Sequence, residues 1–327
     1  MTAELDDLRD AVRTLLDRHG TDVWAILTGQ IGAAGLMVPE RYGGAGGTLR
    51  EACAVVAELG ARLVPSPYLS TAVLAPGLLL ATGDDDACAE ILPGLADGSR
   101  VAALAWPPDG PVPDAARADV LLFRHGGAWY ATEHAAAEEL TPMDLTRPLA
   151  RVRPDPRGAR RIRGDADAAE RRLTDLACTG LAAEQAGGAA HCLDATVAYV
   201  KVREQFGRPI GSFQAVKHRL ADLAARIAQA RALALDAIDA VADHADDGPA
   251  LAAAAASLCG ETYRDAAAEM LQLHGGIGFT WEHDAHRYLK RAYADACLYG
   301  TPAAHRRRLA ELIPYTNGPG APAPGPS

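Results

Sequence analysis

The sequence has 327 residues and carries 32 lysines and arginines against 42 aspartates and glutamates, which gives a formal net charge of −10. This length allows two or three domains and a large core, and the acidic balance argues against a nucleic-acid-binding protein. With 49% hydrophobic, 23% charged and only 5% aromatic residues, the composition excludes global disorder and favours close-packed helices over a β-sandwich.

Residues 1–98 have the pattern of a helical domain, in which apolar residues recur every three or four positions. Thr48, followed three residues later by Glu51, matches a capping box, so a helix is predicted to begin there and to stop before Pro65. Four helices are predicted in this domain. The second begins at Thr48, and the third and fourth extend over roughly 70–81 and 84–95. The first carries Leu5, Leu8, Val12, Leu15 and Leu16.

Residues 99–163 change to the pattern of a small β domain with about four strands. The run VAALAW is one strand, and VLLFRH and AWYATE flank Gly126-Gly127 as the arms of a hairpin with a two-residue turn. LARVRP (149–154) is a further predicted strand. The proline-rich stretch 107–113 is expected to form an exposed loop.

Residues 164–313 return to a helical pattern. From Phe213 to Val241, apolar residues follow alternating steps of three and four, which predicts a long helix packed in a bundle. The tail, residues 314–327, is rich in proline and glycine and is expected to be disordered. The order of elements is therefore helices, a small β region and a helical bundle.

Neither export nor membrane insertion is indicated. No stretch of about 18 uncharged apolar residues is present, so no membrane span is expected, and the acidic, amphipathic N-terminus is not typical of a secretory signal. Six cysteines lie far apart without a Cys-x-x-Cys pair, which favours buried, reduced thiols in a cytoplasmic protein over a zinc site or a disulfide framework.

One segment between two predicted helices differs from ordinary bundle sequence, REQFGRPIGSFQAVKHRLAD (203–222). Its glycines and proline enforce a tight connection, and Gly211-Ser212 offers a cap for the following helix. Arg203 and Arg208, close to the start of a helix, suit a phosphate group. The same residues also fit an ordinary helix–helix turn with solvated arginines.

A second unusual segment is LQLHGGIGFTWEHDAHRYLKRA (271–292). Three glycines in HGGIG let a backbone approach a ligand closely, and Gln272 adds an amide; the alternative is a glycine cap that ends one helix before the next. The spacing of His274, His283 and His286 is not a recognised set of metal ligands, so no metal site is expected.

These two segments resemble the C-terminal signatures of the acyl-CoA dehydrogenase family. GLMVPERYGGAGGTL (35–49) and AELGARLVPSPYLST (57–71) resemble its N-terminal helical domain. The resemblance covers residues 1–98 and 164–313 and implies a mainly α fold with an N-terminal helical domain, a middle β domain, here reduced, and a C-terminal four-helix bundle.

The resemblance also implies chemistry. In the family, a carboxylate removes the α-proton of an acyl-CoA thioester while the β-hydrogen leaves as hydride to N5 of FAD, and each flavin straddles two subunits. The resemblance implies that residues of this chain reach across to the neighbouring subunit's flavin and contact chiefly its pyrophosphate and ADP half. These residues are Arg203, Gln205, Phe206, Gln214, Gln272, Gly275 and Gly276.

This chain departs from the family pattern at the catalytic base. Where many members have Tyr-Glu-Gly-Thr, it has Leu-Tyr-Gly-Thr, with Tyr299 at the position of the glutamate; a phenol with a pKa of about 10 is neutral at pH 7. The alternative family position on an earlier helix falls on Ala177, although a shift of one turn brings Glu170 or Asp175 near. No catalytic residue is therefore assigned to this chain.

The middle domain departs as well, because AALAWPPDGPVPDAARADVLL lacks the Thr-Glu-Pro and Gly-Ser stretch that seats the flavin ring. Both losses favour a heteromer in which a second acyl-CoA dehydrogenase-like subunit supplies the ring seat and the glutamate, as in actinobacterial steroid-type α2β2 enzymes. Two alternatives stay open: a self-sufficient homomer that uses an unusual acid such as Glu170, Asp175 or Glu282, and a redox-dead scaffold.

Overall fold

A computed structural model of the chain describes residues 3–19, 23–108 and 110–313, so the predicted tail lies outside the described residues. The helices are α1 (Ala3–His19), α2 (Trp24–Ile26), α3 (Leu49–Ala61), α4 (Ala75–Thr82), α5 (Asp85–Ala96), α6 (Ala166–Val202), α7 (Gln214–Ala242), α8 (Gly248–His274), α9 (Ala285–Asp295) and α10 (Pro302–Leu312). The strands are β1 (Ala102–Ala105), β2 (Val112–Pro113), β3 (Val120–His125), β4 (Ala128–Thr132), β5 (Ala137–Leu140), β6 (Leu149–Val152), β7 (Arg160–Ile162), β8 (Glu204–Gln205) and β9 (Arg208–Pro209).

The predicted helices of the first hundred residues are confirmed. The backbone N–H of Thr48 donates to Glu51 Oε2 at 2.7 Å, and the Thr48 hydroxyl accepts from the N–H of Arg50 at 3.2 Å, so the predicted capping box starts α3. The helix predicted over 70–81 begins as a π-helical turn, Leu69–Leu74, and continues as α4. Together α3, α4 and the π-helical turn pack against α6, which joins this layer to the bundle.

The β region is larger than the sequence pattern indicates, since its described residues form seven strands rather than about four. Strands β1, β3, β4 and β7 form one sheet in that order, and β2, β6 and β5 form another. The hairpin across Gly126-Gly127 is confirmed, with Leu121 opposite Thr132. The missed strands are two residues long or rich in charged residues, so they lack an alternating apolar signal.

The stretch 107–113 is not simply an exposed loop. Its last two residues form β2, which pairs with β6, and Val112 is only 2% exposed. Val112 packs with Ala103, Leu121 and Ala150 in a small core between the two sheets. This contact between residues distant in sequence overrides the local proline signal.

The bundle places long, alanine-rich helices side by side. Helix α8 packs against α6, α7 and α10, and the predicted long helix is α7, whose Leu220, Leu223 and Ile227 are buried. Within the described part of the chain, no helix is both long and apolar enough to cross a membrane. Five of the six free cysteines are buried, but Cys297 is exposed, which corrects the expectation that all six are buried.

The close approach of α3 to α6 depends on a glycine. A Cβ atom at Gly60 would lie 2.4 Å from the carbonyl oxygen of Glu184, well inside van der Waals contact. We expect Gly60→Ala to lower the free energy of unfolding by about 1–3 kcal/mol, because backbone atoms must move to admit the methyl group. Urea unfolding of this variant, with the open-space variant Gly29→Ala as control, measures the effect; equal stability of the two variants contradicts the packing argument.

Candidate cofactor-binding site

The segment that follows α6 forms an exposed hairpin from β8 and β9. Its tip residues, Phe206 and Gly207, have φ angles of 54° and 74°, and Phe206 is 93% exposed. The Phe206 ring meets Phe213 edge to face at 6.2 Å, and the Arg208 guanidinium lies 4.1 Å over the same Phe213 ring. These contacts tie the hairpin to Phe213, the residue before the helix that follows it.

Helix α7 begins beside this hairpin without the predicted cap. Its N-cap residue is Phe213, which makes no side-chain cap hydrogen bond, so the expected cap at Gly211-Ser212 is wrong. The N–H of Ile210 donates to the Arg203 carbonyl at 2.7 Å and draws residues 210–212 into a 3₁₀ turn instead. An N-terminus without a side-chain cap leaves backbone N–H groups and the helix dipole available to an anion.

The glycine-rich loop lies at the C-terminal end of α8. The helix ends at His274, and Gly275, with a φ of 62°, begins a 3₁₀ turn over Gly275–Phe279. The loop is therefore a glycine cap, as one interpretation predicted, but it is also open. Apart from their own chain neighbours, no described residue has an atom within 4 Å of a Cβ placed at Gly275 or Gly276, so the backbone there can be approached closely.

One stacked pair brings the two segments to the same end of the bundle. Tyr199 lies one turn before Arg203, and its ring stacks on the His274 imidazole at 4.2 Å. The Tyr199 hydroxyl donates to the His274 carbonyl at 3.4 Å, while His274 Nδ1 lies 2.7 Å from the Met270 carbonyl. Burial lowers the pKa of His274, which favours a neutral imidazole that donates to Met270.

All residues that the resemblance implies as FAD contacts are exposed in the structure. We call them the exposed patch: Arg203, Gln205, Phe206, Gln214, Gln272, Gly275 and Gly276. Between positions 201 and 217 the chain carries four lysines and arginines against one glutamate, although its overall charge is −10. The exposed patch is therefore locally basic and suits an anionic ligand.

Sequence reasoning missed the apolar surroundings of the exposed patch. Val202, Phe279 and Trp281 are each 75% exposed, and the Lys290 ammonium lies 4.8 Å from the centroid of the Trp281 ring. The signal was present in GFTWEH, where two aromatic residues stand in a loop. Exposed aromatic side chains grouped at one end of a bundle are typical of a protein–protein contact.

Tyr299, which stands in the sequence where the family pattern has its glutamate, packs against another aromatic side chain. Trp106, at the end of β1, is 8% exposed and stacks on Tyr299 with 5.7 Å between ring centroids and 22° between planes. The Trp106 Nε1 donates to Glu170 Oε1 at 2.9 Å. Burial raises the pKa of the Tyr299 phenol above its ordinary value, so the phenol stays neutral at pH 7.

The acids considered as alternative bases are engaged or remote. Glu170 accepts from Trp106 and forms an ion pair with Arg124, and Asp175 forms an ion pair with Arg308. Burial raises the pKa of Asp175, although Arg308 opposes that shift. Glu282 is exposed. Ala177, the second family position for a base, is fully buried in α6.

A buried cluster of charges, which no local sequence pattern indicates, lies between α6, α9 and the loop that precedes β6. Glu184 Oε1 accepts from Arg147 at 2.5 Å and from Arg291 at 2.9 Å, and Arg291 also reaches Asp144 at 2.8 Å. Arg147 lies 3.3 Å from Asp295, which is fully buried. Although burial opposes it, the two arginines lower the pKa of Glu184.

Asp295 is expected to make the folded protein less stable as the pH rises toward neutrality. Burial and the neighbouring Glu184 raise the pKa of Asp295 from 3.8 to about 7, so between these values the folded state keeps a proton that the unfolded state releases. Stability therefore falls over that interval. Asp295→Asn should flatten the dependence and raise stability at pH 8 by on the order of 1 kcal/mol.

Urea unfolding at several pH values measures this effect. Asp284→Asn serves as the control, because Asp284 is exposed and its ion pair is with Arg287, three residues further along the chain. A pH dependence of Asp295→Asn equal to that of the parent protein contradicts the assignment.

Within the described residues, no three histidine, cysteine, aspartate or glutamate side chains converge as metal ligands. His283 lies close to His274, with 4.3 Å between ring centroids, but the Nδ1 of His283 accepts the backbone N–H of Ala285 at 3.0 Å. His286 instead meets the edge of Trp281. These histidines therefore belong to the packing beneath the glycine-rich loop.

The fold is that of a mainly α, acyl-CoA dehydrogenase-like protein, and comparison with known proteins identifies the family. The models for the acyl-CoA dehydrogenase N-terminal and C-terminal domains match residues 2–99 and 169–313. Acyl-CoA dehydrogenase IpdE2 of Mycobacterium tuberculosis is 44% identical over 326 residues, which cover 92% of this chain and 95% of that protein. The chain belongs to the acyl-CoA dehydrogenase family.

Two solved structures of protein pairs are also similar. The ChsE4-ChsE5 complex from Mycobacterium tuberculosis contains a chain that matches with a TM-score of 0.82 and 26% identity, over 95% of this chain and 97% of that one. A variant of the Tcur3481-Tcur3483 steroid acyl-CoA dehydrogenase matches with a TM-score of 0.82 and 29% identity, over 94% and 97%. The fold class and the family resemblance predicted from the sequence are thus confirmed.

Proposed function

We propose that this chain is one subunit of a heteromeric FAD-dependent acyl-CoA dehydrogenase, in which it holds the nucleotide half of FAD while a second, related subunit holds the ring and supplies the catalytic glutamate. The observation that carries the proposal is an asymmetry within the chain. The exposed patch is open and locally basic, whereas Tyr299 stands where the family pattern has its glutamate and stacks on Trp106, in a segment that lacks the family's ring-seating stretch.

The residues of the exposed patch fit the nucleotide half of FAD. Proteins of this family are flavoproteins, and FAD, when bound, supplies the hydride acceptor of the reaction. The planar guanidinium of Arg203 suits the pyrophosphate, and the N-terminus of α7 adds backbone donors. Gly275 and Gly276 leave room for the adenosine because no side chain fills the space beside them.

The remaining members of the patch would orient the ligand. Gln214 lies at the start of α7 and Gln272 in the last turn of α8, and their exposed side-chain amides can donate to phosphate or ribose oxygens. Gln205 and Phe206 extend on the hairpin toward the partner subunit. The hairpin arrives preorganised, since Arg208 and Phe213 already fix its base.

The chain's own chemistry is limited to binding and to excluding water. The Trp106–Tyr299 stack closes the interior, and neither group removes an α-proton at pH 7, because a neutral phenol is a weak base and an indole has no basic nitrogen. A carboxylate from the partner subunit must then take that proton. The proposed substrate is an acyl-CoA thioester, and the steroid enzyme among the relatives supports a steroid side-chain thioester.

The proposed assembly is α2β2 with one FAD in each heterodimer. Support comes from the two structural relatives, since both are named as pairs of proteins. It also comes from the exposed aromatic residues around the patch, because 75% exposure of Phe279 and Trp281 is costly unless a partner covers them.

Co-expression with the product of the neighbouring open reading frame tests the proposal. The chain alone should be free of flavin, and the complex should be yellow, with flavin absorbance and native mass that correspond to one FAD per heterodimer. A homomer of this chain that carries a full complement of FAD and dehydrogenates an acyl-CoA refutes the proposal. A complex whose FAD content does not respond to Arg203→Ala also contradicts it and indicates a scaffold.

A further inference from the structure

A large cavity lies away from the exposed patch and from the Trp106–Tyr299 stack. It measures about 850 Å³, opens to solvent and is lined mainly by α1, α3, α6 and α7, and none of the residues of those two sites lines it. Cavities of this size are sufficient for an organic ligand with a substantial apolar body. Nothing in the proposed function uses it.

The floor of the cavity is apolar and smooth. Ala54, Ala57 and Ala61 recur at helical spacing on α3, and Ala186 and Ala190 face them from α6. The line from Arg50 to Ala61 along α3 extends over about 16 Å at 1.5 Å per residue, so the floor is elongated. Small side chains leave this volume unfilled although larger residues surround it.

Charge distinguishes the cavity from the rest of the molecule. Its lining carries five arginines against four carboxylates, a positive balance in a chain of net charge −10. His191 adds no charge at pH 7, because burial and the nearby Arg62 lower its pKa. An apolar cavity with a cationic rim is complementary to a molecule that has an apolar body and one anionic group.

Most of these arginines are already engaged. Glu58 accepts from Arg13 at 2.9 Å and from Arg62 at 3.0 Å, and Arg50 pairs with Asp239 at 2.6 Å. Arg62 and Arg50 also reach the exposed acids Asp17 and Asp243.

Arg231 differs from them. It is exposed on α7 at the rim and forms no ion pair among the described residues. Among the described acids that line the cavity, Asp194 on α6 forms no ion pair, but it is exposed to solvent and therefore repels an anion only weakly. Arg231 is therefore the side chain placed to receive an anionic head group.

We propose that this cavity binds an amphipathic carboxylate, with its apolar body along the alanine floor of α3 and α6 and its head group on Arg231. The proposal does not rest on the proposed function, because it involves neither the exposed patch nor a flavin. A fatty acid and a rigid polycyclic acid both combine an apolar body with one carboxylate. Titration with laurate and with cholate distinguishes between the two.

Isothermal titration of the full chain and of its complex tests the proposal with laurate and with cholate, below their micellar concentrations. Dodecanol serves as the uncharged counterpart of laurate. We expect saturable binding of one of the two carboxylates, and affinity for it that falls as the salt concentration rises. For laurate, dodecanol should bind about tenfold more weakly.

Two variants locate the site. Arg231→Gln should weaken binding about tenfold, whereas Arg226→Gln, on the same helix but paired with Asp265 outside the cavity, should leave it unchanged. Ala57→Phe should abolish binding by filling the floor. FAD content stays the same in all three, so this result is separate from that of the proposed function.

Three outcomes overturn the proposal: no saturable binding of either carboxylate, equal binding to the parent and Arg231→Gln, and binding to the free chain that disappears in the complex. The last result means that the partner subunit covers the cavity. Melting temperatures of the variants show whether a loss of binding reflects unfolding instead. If Ala57→Phe unfolds, the test depends on Arg231→Gln, because the Arg231 side chain is exposed and forms no ion pair among the described residues.

Discussion

Gly276→Val should strip FAD from the assembled complex. The variant is expected to fold normally, because no atom of the described chain lies within 4 Å of the Cβ position at Gly276 and its φ lies outside the positive range. In the complex, the added methyl groups would occupy the space reserved for the nucleotide. Overpacking of this kind costs about 1–3 kcal/mol, so FAD affinity should fall roughly tenfold to a hundredfold.

The measurement is flavin absorbance per heterodimer after gel filtration, followed by titration with added FAD. Gly29→Val is the matched control, since Gly29 also has open space around its Cβ position and lies in the N-terminal helices. Only Gly276→Val should lose flavin. Full FAD occupancy in this variant, with native mass unchanged, would remove the glycine-rich loop from the cofactor site and leave the chain without an argument for binding FAD.

Local patterns in the sequence were sufficient for most of the helical fold. The capping box at Thr48 and the periodicity of α7 each depend on residues close together in the chain, and both are found as predicted. Strands β5 and β7 were missed because their charged residues face solvent and carry no alternating signal. Val112 was misassigned because its partner, Ala150, is remote in sequence.

In the candidate site, too, local sequence patterns revealed some features, whereas others depend on contacts between residues distant in sequence. Its two segments stand out by composition, but their placement at one end of the bundle depends on the contact of Tyr199 with His274, which no local pattern reveals. Likewise, the absence of a glutamate at Tyr299 was visible in the sequence, whereas its stacking on Trp106 was not. The buried cluster around Glu184 joins three separate elements, so only the fold brings its charges together.

We expect the catalytic base to lie in the partner subunit. In the complex, replacing the partner subunit's catalytic glutamate by glutamine should lower the rate of flavin reduction by an acyl-CoA by roughly 10²- to 10⁴-fold, the range that a general base contributes. The acids of this chain should not matter to that rate. Glu170 accepts from Trp106 and pairs with Arg124, and Glu282 is exposed to solvent.

Stopped-flow reduction of the bound flavin separates the two sources of the base. Glu170→Gln, Asp175→Asn and Glu282→Gln should each change the rate per bound flavin by less than about twofold, a change of under 0.5 kcal/mol in the barrier. Asp175→Asn loses the ion pair with Arg308 and is expected to lower the stability of the protein. The rate is therefore normalised to the amount of bound flavin rather than to the amount of protein. If any of these variants keeps its flavin and its native mass but its flavin is no longer reduced by the acyl-CoA, the base lies in this chain. That result contradicts the proposal that the partner subunit supplies the base.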